Sequence, residues 1–299
     1  MPIDFKGRVA LITGAGGGLG RSHALHFARL GAKIVVNDVG SSVTGEGALP
    51  NPAEETVRLI REAGGEAVAD ASTVDTMEGA QAMVQGALRH FGRLDVLINN
   101  AGILKDASFK KQESRTWDAV IAVHLTGSRN VTHAAWETFT RQNYGRIVMT
   151  LSASGLYGNF GQTNYAAAKM GLWGLMQSLK EEGAKHNILV NAIAPMARSR
   201  MTETILPPEA LERLKPESVS PVVAYLGSEA CAVNGQCWAV GAGYVSRVAL
   251  VESEGHFFRG EFGAEDVATH LAEITTLQNA VPLQNLMEAA AKMMGKENS

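Results

Sequence analysis

Three residues that could move a proton lie near one another in the sequence: Ser152, Tyr165 and Lys169. Tyr165 and Lys169 stand four positions apart in NYAAAK, so they should share one face of a helix. A phenol, whose pKa is about 10, is a poor base at neutral pH, but a neighbouring ammonium favours its charged form. The pattern therefore predicts a tyrosine that accepts the proton of an alcohol during its oxidation.

A glycine-rich turn, TGAGGGLG at residues 13–20, lies between a short apolar strand and a helix. The N-terminus of a helix offers free amides and the positive end of a dipole to a pyrophosphate. Glycines let the backbone approach the ligand and close the turn. The spacing of Gly14, Gly18 and Gly20 is GxxxGxG rather than GxGxxG. The position of the turn nevertheless predicts a dinucleotide site.

Asp38 ends the second apolar strand, roughly 20 residues after the last of these glycines. A carboxylate at this place can accept hydrogen bonds from both ribose hydroxyls and repel a 2′-phosphate. No Lys or Arg interrupts the glycine run to receive such a phosphate. We therefore expect NAD rather than NADP.

Strands and helices alternate along the chain, which predicts a parallel sheet covered on both faces. We expect one domain, residues 1–244, with an extension, residues 245–299, that packs on the same domain or on a dimer partner. The predicted strands are 9–13, 34–37, 66–70, 95–98, 145–151 and 188–193, and the predicted helices are 20–30, 53–63, 77–91, 114–141 and 164–185.

Bulk properties exclude several classes of protein. A net charge of −3 gives no basic field for nucleic acid, and no apolar run reaches the roughly 18 residues that span a membrane. The N-terminus lacks the pattern of a signal peptide, and KENS is not a peroxisomal signal of the SKL type. Two cysteines and scattered histidines predict no disulfide framework and no metal site. These features predict a cytoplasmic enzyme.

The motifs, in this order and over residues 5 to 245, resemble the classical short-chain dehydrogenase/reductases. Five segments narrow the resemblance further: VVNDVG, NNAGILKD, VHLTGS, SASGLYGNFGQTNYAAAK and IAPMARSRMT. They are similar to the (3R)-hydroxyacyl-CoA dehydrogenase unit of peroxisomal multifunctional enzyme type 2, a subgroup related to 17β-hydroxysteroid dehydrogenases. The resemblance implies a Rossmann-type doubly wound fold and NAD-dependent oxidation of 3-hydroxyacyl-CoA.

The resemblance also implies a role for each matching residue. Tyr165 would be the acid/base, Lys169 would lower the pKa of Tyr165 and bond the nicotinamide ribose, and Ser152 would bond the substrate oxygen. The residues that would bind the rest of the cofactor are Gly14, Gly18, Leu19 and Gly20 at the pyrophosphate, Asp38 at the adenosine ribose, Thr73 and Val74 at the adenine, and Asn100, Ala101 and Gly102 behind the cofactor.

His124, in VHLTG, stands where the classical family usually has Asn, whereas the subgroup matches this chain. A neutral imidazole has one donor and one acceptor, which suffices to anchor a water in a proton relay. We therefore count His124 among the catalytic residues, with a structural histidine as the alternative.

Two substrate classes fit this mechanism. The first is a 3-hydroxyacyl-CoA thioester, and the second is a steroid, either a 17β-hydroxysteroid or a steroid side-chain CoA thioester. A third interpretation is a non-catalytic NAD-binding protein on the same fold, and the intact Ser152, Tyr165 and Lys169 argue against it. The segment after Pro195 should form a substrate lid. Its apolar residues are Met196, Met201, Ile205 and Leu206. Four cations could meet CoA phosphates, with solvated surface charges as the alternative: Lys110, Lys111, Arg198 and Arg200.

Apolar residues on the helices near 114–141 and 164–185 exceed what one face of a sheet should hide, which predicts a homodimer or homotetramer. The residues that suggest this interface are Trp117, Val120, Ile121, Val131, Trp136, Leu172, Trp173, Leu175 and Met176.

Overall fold

A computed structural model describes residues 3–40, 42, 44–45, 52–196 and 212–295 of the chain. It contains two compact units, Met1–Arg247 and Val248–Ser299. The division lies three residues beyond the predicted boundary at 244.

The first unit is organised around one sheet of eight strands in the order β3-β2-β1-β4-β5-β6-β7-β8. The neighbouring pairs from β3 to β7 are all parallel. This arrangement confirms the predicted Rossmann-type doubly wound sheet. The strands are β1 Val9–Thr13, β2 Lys33–Asn37, β3 Ala67–Asp70, β4 Val96–Asn99, β5 Gly145–Thr150, β6 Ile188–Pro195, β7 Cys237–Gly241 and β8 Tyr244–Val248.

The central strands are mostly apolar because both of their faces are covered. Every residue of β1, β4 and β5 is buried, as continuous hydrophobic runs in a parallel sheet require. The strand order reverses between β1 and β4. Ligands of open parallel sheets bind outside the carboxyl ends of the strands at such a point, so the fold itself selects the ends of β1 and β4.

Helices follow most strands of this sheet. In the first unit α1 packs against α2 and α8, while α3 packs against α5 and α5 against α7. The helices are α1 Gly18–Arg29, α2 Pro52–Glu62, α3 Met77–Phe91, α4 Ser114–Ile121, α5 Gly127–Gln142, α6 Ala153–Tyr157, α7 Thr163–Gly183, α8 Ser220–Gly227, and, in the second unit, α9 Ala264–Thr269, α10 Leu271–Thr275 and α11 Leu286–Met293.

The stretch over 114–141 is helical throughout, as predicted, but it is not one regular α-helix. A π-helical turn, Ala122–Thr126, separates α4 from α5, and the amide of Gly127 donates to the carbonyl of Ala122. Such turns occur mostly as short bulges within α-helices, frequently at functional sites. Hydrophobic periodicity does not reveal one wider turn, so the sequence pattern missed the bulge that carries His124.

The apolar patch proposed as a subunit interface is largely absent from the surface. Val120, Val131, Leu172, Trp173 and Met176 are buried within the chain. The remaining four residues are half-buried, namely Trp117, Ile121, Trp136 and Leu175. The protein core therefore accounts for most of the apolar surplus seen in the sequence.

The sequence pattern also missed β7, β8 and the four helices from α8 to α11, which the structure places after residue 212. β7 and β8 are joined by Ala242 and Gly243, both with positive φ, 50° and 80°, as a two-residue hairpin turn requires. Within the described ranges, none of the helices combines the length and the apolar character needed to cross a bilayer.

Candidate active site

The glycine-rich turn folds closely upon itself at the end of β1. Gly14 has a φ of +63°, and a Cβ there would lie 2.9 Å from the Cα of Ala101. A Cβ at Gly20 would lie 2.2 Å from the carbonyl oxygen of Gly14. α1 begins at Gly18, and Gly17 caps it without a side-chain hydrogen bond. The first amides of α1 thus stay available to an anion.

A cavity of about 730 Å³ opens at the carboxyl ends of β1 and β4. Its volume lies in the range of cofactor and ligand sites. Eight of the predicted cofactor-binding residues line it: Gly14, Gly18, Asp38, Thr73, Val74, Asn100, Ala101 and Gly102.

Two predicted pyrophosphate residues are not among the described lining residues of this cavity. The side chain of Leu19 packs against the hydrophobic core. Gly20 lies under the turn, where only a residue without a Cβ fits against Gly14. Both residues therefore contribute to the packing of the turn.

Asp38 holds its carboxylate at the edge of the cavity through two backbone amides. Oδ2 accepts from the amide of Gly16 at 2.9 Å, and Oδ1 accepts from the amide of Gly40 at 2.8 Å. A Cβ at Gly16 would lie 2.7 Å from Oδ2, so Gly16 must remain glycine for this contact. A carboxylate has about four acceptor positions, which leaves some for the hydroxyls of a ribose.

Asn100 ties the end of β4 to the glycine turn. Its side-chain amide donates to the carbonyl oxygens of Thr13 at 2.9 Å and Gly14 at 3.2 Å. Thr13 Oγ1 in turn accepts from the amides of Asn100 and Ala101, each at 3.0 Å. This network fixes the cavity floor, and the sequence interpretation did not include Thr13.

Another wall of the cavity is formed by the residues that come after β3 in the sequence. The Val74 carbonyl accepts from the Asn130 side chain at 3.2 Å, and the Thr73 hydroxyl donates to the Asp75 carboxylate at 2.5 Å. Asp75 lines the cavity beside Thr73 and Val74, although it was not predicted. Its position directly after Val74 was the signal that could have identified it.

Tyr165 and Lys169 lie together in the first turns of α7, as their spacing predicts. The Lys169 Nζ is 5.5 Å from the centroid of the Tyr165 ring, and it donates to the carbonyl of Thr150 at 2.5 Å. Ser152 caps the N-terminus of α6 shortly after β5 ends, and its hydroxyl hydrogen-bonds the Tyr165 phenol. The fold therefore brings the three predicted catalytic residues into one cluster.

The expected low pKa of the tyrosine is not found. Burial raises the pKa of Tyr165, the hydrogen bond from Ser152 opposes this, and the charge of Asp106 raises it further. Burial also lowers the pKa of Lys169 to about 7, because the side chain is only 3% exposed. In the absence of a cofactor, burial and Asp106 therefore keep Tyr165 protonated.

His124 packs against the same cluster. Its ring meets that of Tyr165 edge to face, with centroids 5.1 Å apart, and a Cβ at Gly102 would lie 2.3 Å from its Cε1. Burial and the charge of Lys169 lower the pKa of His124 to about 3. The imidazole is therefore neutral at physiological pH.

The two nitrogens of His124 differ in their contacts. Nε2 lies 3.0 Å from the Ile103 amide nitrogen and 2.8 Å from the Ile103 carbonyl oxygen. A neutral ring can use Nε2 for only one of these bonds, so the tautomer decides between them. Nδ1 is buried and finds no partner within the described residues. In either tautomer one donor or one acceptor stays available beside the tyrosine.

Hydrogen bonds across two loops hold the start of α7 in place. Gln162 donates to the carboxylate of Asp106 at 2.9 Å, and Asn164 donates to the carbonyl of Lys105 at 3.1 Å. The amide of Ala107 donates to the carbonyl of Gly161 at 2.9 Å. Segment 105–107 is thereby fixed next to Tyr165, which brings the cavity-lining Lys105 close to the catalytic cluster.

Arg21 is a further residue that the sequence interpretation left out. Its guanidinium donates to the Gly16 carbonyl and, at 3.0 Å, to the hydroxyl of Thr56. Arg21 therefore stabilises the glycine turn by linking it to α2. Its position directly after Gly20 was the available signal.

Several predicted substrate contacts fall outside the described residues: Arg198, Arg200, Met201, Ile205 and Leu206. Met196 is described and exposed. Lys110 and Lys111 lie in an exposed 3₁₀ turn, Phe109–Lys111, which closely follows the segment fixed beside Tyr165.

A comparison with known proteins agrees with this geometry. The family model described as short chain dehydrogenase matches residues 8–209. A Mycobacterium tuberculosis protein named as a short-chain type dehydrogenase/reductase is 52% identical over 91% of this chain and 96% of its own length. A hydroxyacyl-CoA dehydrogenase of the same organism is 37% identical over 91% of this chain and 87% of its own length.

A solved structure is similar to nearly the whole chain. Full-length peroxisomal multifunctional enzyme type 2 from Drosophila melanogaster superposes with a TM-score of 0.84 at 40% identity. The match covers 98% of this chain and 49% of that one. The chain thus spans about half the length of this relative.

Proposed function

Because the chain belongs to the short-chain dehydrogenase/reductase family of oxidoreductases, which use nicotinamide cofactors, we propose that it oxidises the 3-hydroxyl group of (3R)-hydroxyacyl-CoA thioesters with NAD. The observation that carries the proposal is the cluster of Ser152, Tyr165 and Lys169 beside a cavity lined by Asp38.

The catalytic cluster supplies the proton transfer. In our proposal the Ser152 hydroxyl hydrogen-bonds the substrate oxygen and orients it toward the phenol of Tyr165. The substrate O–H bond breaks and its proton passes to the Tyr165 oxygen as the phenol gives its own proton to the relay, because the raised pKa keeps Tyr165 protonated. The C3–H bond breaks with loss of hydride, and a C=O bond forms at C3. The bound nicotinamide would accept the hydride from C3. Lys169, held by Thr150, would bond the nicotinamide ribose and receive the proton relayed from the tyrosine.

Regeneration of the tyrosine needs a path for the proton. Nδ1 of His124 is buried and without a described partner, and the lowered pKa keeps the ring neutral. We propose that this nitrogen anchors a water of the relay, since a neutral imidazole retains one unused donor or acceptor after bonding Ile103. His124 would then position the relay rather than carry charge.

The choice of NAD rests on Asp38. Its carboxylate lines the cavity and is oriented by the amides of Gly16 and Gly40. Acceptor oxygens suit the two ribose hydroxyls of NAD, while their charge would repel the 2′-phosphate of NADP. Arg21 is engaged with the turn and Thr56, which supports the same choice.

The choice of a CoA thioester rests on nearby cations and on one relative. Lys105 lines the cavity, and the exposed Lys110 and Lys111 follow on the same loop. Ammonium groups bind phosphates as point charges. A relative similar over most of both chains is named as a hydroxyacyl-CoA dehydrogenase. The R stereochemistry rests on the resemblance to the multifunctional enzyme subgroup.

The test is a screen of NAD reduction with four alcohols: a (3R)-hydroxyacyl-CoA, its 3S isomer, the free 3-hydroxy acid and a 17β-hydroxysteroid. We expect the (3R)-thioester to exceed the free acid by at least roughly tenfold in kcat/KM, about the value of one charge-assisted contact. The advantage should shrink in Arg198→Ala/Arg200→Ala and Lys110→Ala/Lys111→Ala, while Lys185→Ala, on an exposed turn after α7, should leave it unchanged.

A better rate with the steroid, with no effect of the loop cations, would replace the CoA proposal by the steroid alternative. An absence of turnover with every secondary alcohol would instead support the non-catalytic interpretation.

We further propose a homodimer or homotetramer in a reducing, cytoplasmic setting. The half-buried Trp117, Ile121, Trp136 and Leu175 are what remains to support an interface. Both cysteines are buried free thiols, as is usual where disulfides do not form. Light scattering that gives a monomer at micromolar concentration would refute the oligomer, and cell fractionation tests the compartment.

A further inference from the structure

Two histidines and a glutamate meet in the second unit. His256, His270 and Glu273 each present a ligand atom, and these atoms lie within 4.8 Å of one another. The two imidazole rings stack with centroids 3.9 Å apart, and His256 Nδ1 lies 2.8 Å from a carboxylate oxygen of Glu273. The sequence predicted no metal site, because its histidines are scattered and none stands in a cluster with the spacing of metal ligands.

The surroundings orient these groups as in a metal site. His270 Nδ1 lies 2.9 Å from the carbonyl oxygen of Asp266. A neutral His270 must donate from Nδ1 to make this bond, which leaves the lone pair of Nε2 for a metal. Phe258 packs edge-on against both imidazole rings, at 4.6 Å and 5.4 Å. This aromatic contact covers one side of the cluster.

The described part of the second unit has polar contacts, such as the ion pair between Lys292 and Glu252, but no buried core. No described residue from 248 to 295 is buried, and both cysteines of the chain, Cys231 and Cys237, lie outside the unit. Units below roughly 70–80 residues seldom gain enough from a core alone and use disulfides, metals or association. The cluster joins the segment that contains His256 to the α9–α10 turn, so an ion there would cross-link the unit.

We propose that His256, His270 and Glu273 bind a zinc ion that cross-links the second unit. Two imidazoles and one carboxylate suit zinc, with water as a fourth ligand, better than the all-oxygen sites of Mg²⁺ or Ca²⁺. Tetrahedral zinc with bonds of about 2.0–2.2 Å spaces its ligand atoms by about 3.3 Å. Nδ1 of His256 and the Glu273 oxygen must then separate slightly, while the widest pair must move closer, which side-chain rotations allow.

The test uses the full chain after chelation and desalting, titrated with zinc chloride by calorimetry. We expect one zinc per chain. His256→Gln, His270→Asn and Glu273→Gln should each weaken binding at least roughly tenfold, since losing even an outer-shell partner of a metal site costs about that much. His133→Asn removes an exposed helical histidine of the first unit and should leave the affinity unchanged.

Limited proteolysis tests the cross-link independently of enzymatic activity. Zinc at a concentration about a hundred times its dissociation constant should slow cleavage within residues 248–295 about a hundredfold, if cleavage requires opening of the zinc-bound unit. His270→Asn should lose this protection. The proposal is overturned if zinc does not bind, if His133→Asn weakens binding as much as His270→Asn, or if bound zinc leaves the cleavage rate unchanged.

Discussion

Replacing Lys169, the proposed catalytic lysine, should make the cofactor-free protein more stable and abolish turnover. Lys169 is 3% exposed, and burial lowers its pKa from 10.5 to about 7. The folded protein therefore disfavours the charged ammonium that the unfolded chain holds freely in water. Lys169→Met keeps a long unbranched side chain and removes the charge, so it should remove this cost. The substitution also removes the proposed ribose contact and the relay of the proton.

The magnitude follows from the pKa and from one hydrogen bond. Each pKa unit corresponds to about 1.4 kcal/mol, so the shift of Lys169 costs roughly 4 kcal/mol in the free energy of unfolding at neutral pH. Methionine leaves the Thr150 carbonyl, now bonded at 2.5 Å, without its donor, and a charge-assisted bond contributes about 1.5–3 kcal/mol. Lys169→Met should therefore gain about 2 kcal/mol near neutral pH.

The gain should vanish as the solution becomes alkaline. Because the folded pKa of Lys169 lies below its unfolded value, the unfolded chain binds more protons between about pH 7 and 10.5. The stability contributed by this group in the wild type thus rises with pH across that window, whereas the methionine contributes no such change. The advantage of Lys169→Met should fall by about 3 kcal/mol from about pH 7 to pH 10 and change sign.

Urea unfolding of the cofactor-free proteins, followed by circular dichroism at several pH values, measures this difference. Lys185→Met is the control, because Lys185 is exposed at the end of α7 and its replacement should give a small difference that does not vary with pH. A Lys169→Met variant that is less stable than the wild type at neutral pH, or whose difference from the wild type is constant with pH, would refute the reasoning.

Three further predictions concern the site. Tyr165→Phe should reduce kcat by roughly 10²-fold or more, because it removes the group that takes the proton. The affinity for NAD, measured by calorimetry, should stay near that of the wild type. Retention of a tenth of the activity would contradict the assignment. The wild type should prefer NAD strongly, measured as kcat/KM with NAD divided by kcat/KM with NADP, and Asp38→Ser should reduce this ratio. Equal kcat/KM with the two cofactors in the wild type would disprove the role of Asp38. Gly102→Ala should destabilise the protein by about 1–3 kcal/mol, since its Cβ would lie 2.3 Å from His124. Adding His124→Asn should recover part of this loss in a double-mutant cycle measured by urea unfolding. Strictly additive effects would show that the two side chains do not compete for space.

Local spacing was sufficient to predict much of the fold and the catalytic cluster. The pairing of Tyr165 with Lys169 follows from the helical repeat, and the strands follow from apolar runs between turns. The glycine turn was assignable because strand, glycines and helix follow one another directly. These features depend on neighbours within a few residues, so they can be predicted without knowledge of the tertiary structure.

Other features depend on which distant residues come together. The pKa of Lys169 is set by burial, which the sequence spacing does not report. The π-helical turn at His124 and the packing of that ring on Gly102 require the contact between two separate segments. Burial of Val131 and Met176 within the chain likewise depends on the packing of α5 and α7, and it removed most of the predicted interface.

The same distinction separates the two candidate sites of the chain. The dehydrogenase motifs could be predicted because each combines residues a few positions apart on one strand, turn or helix. The cluster of His256 and His270 could not, because fourteen positions and a chain reversal separate its members. Sequence alone thus determined the type of chemistry in the first unit, whereas the tertiary structure decided the electrostatics of that chemistry and created the second site. The physical reason is that burial and long-range contact are properties of the folded chain and not of any local segment.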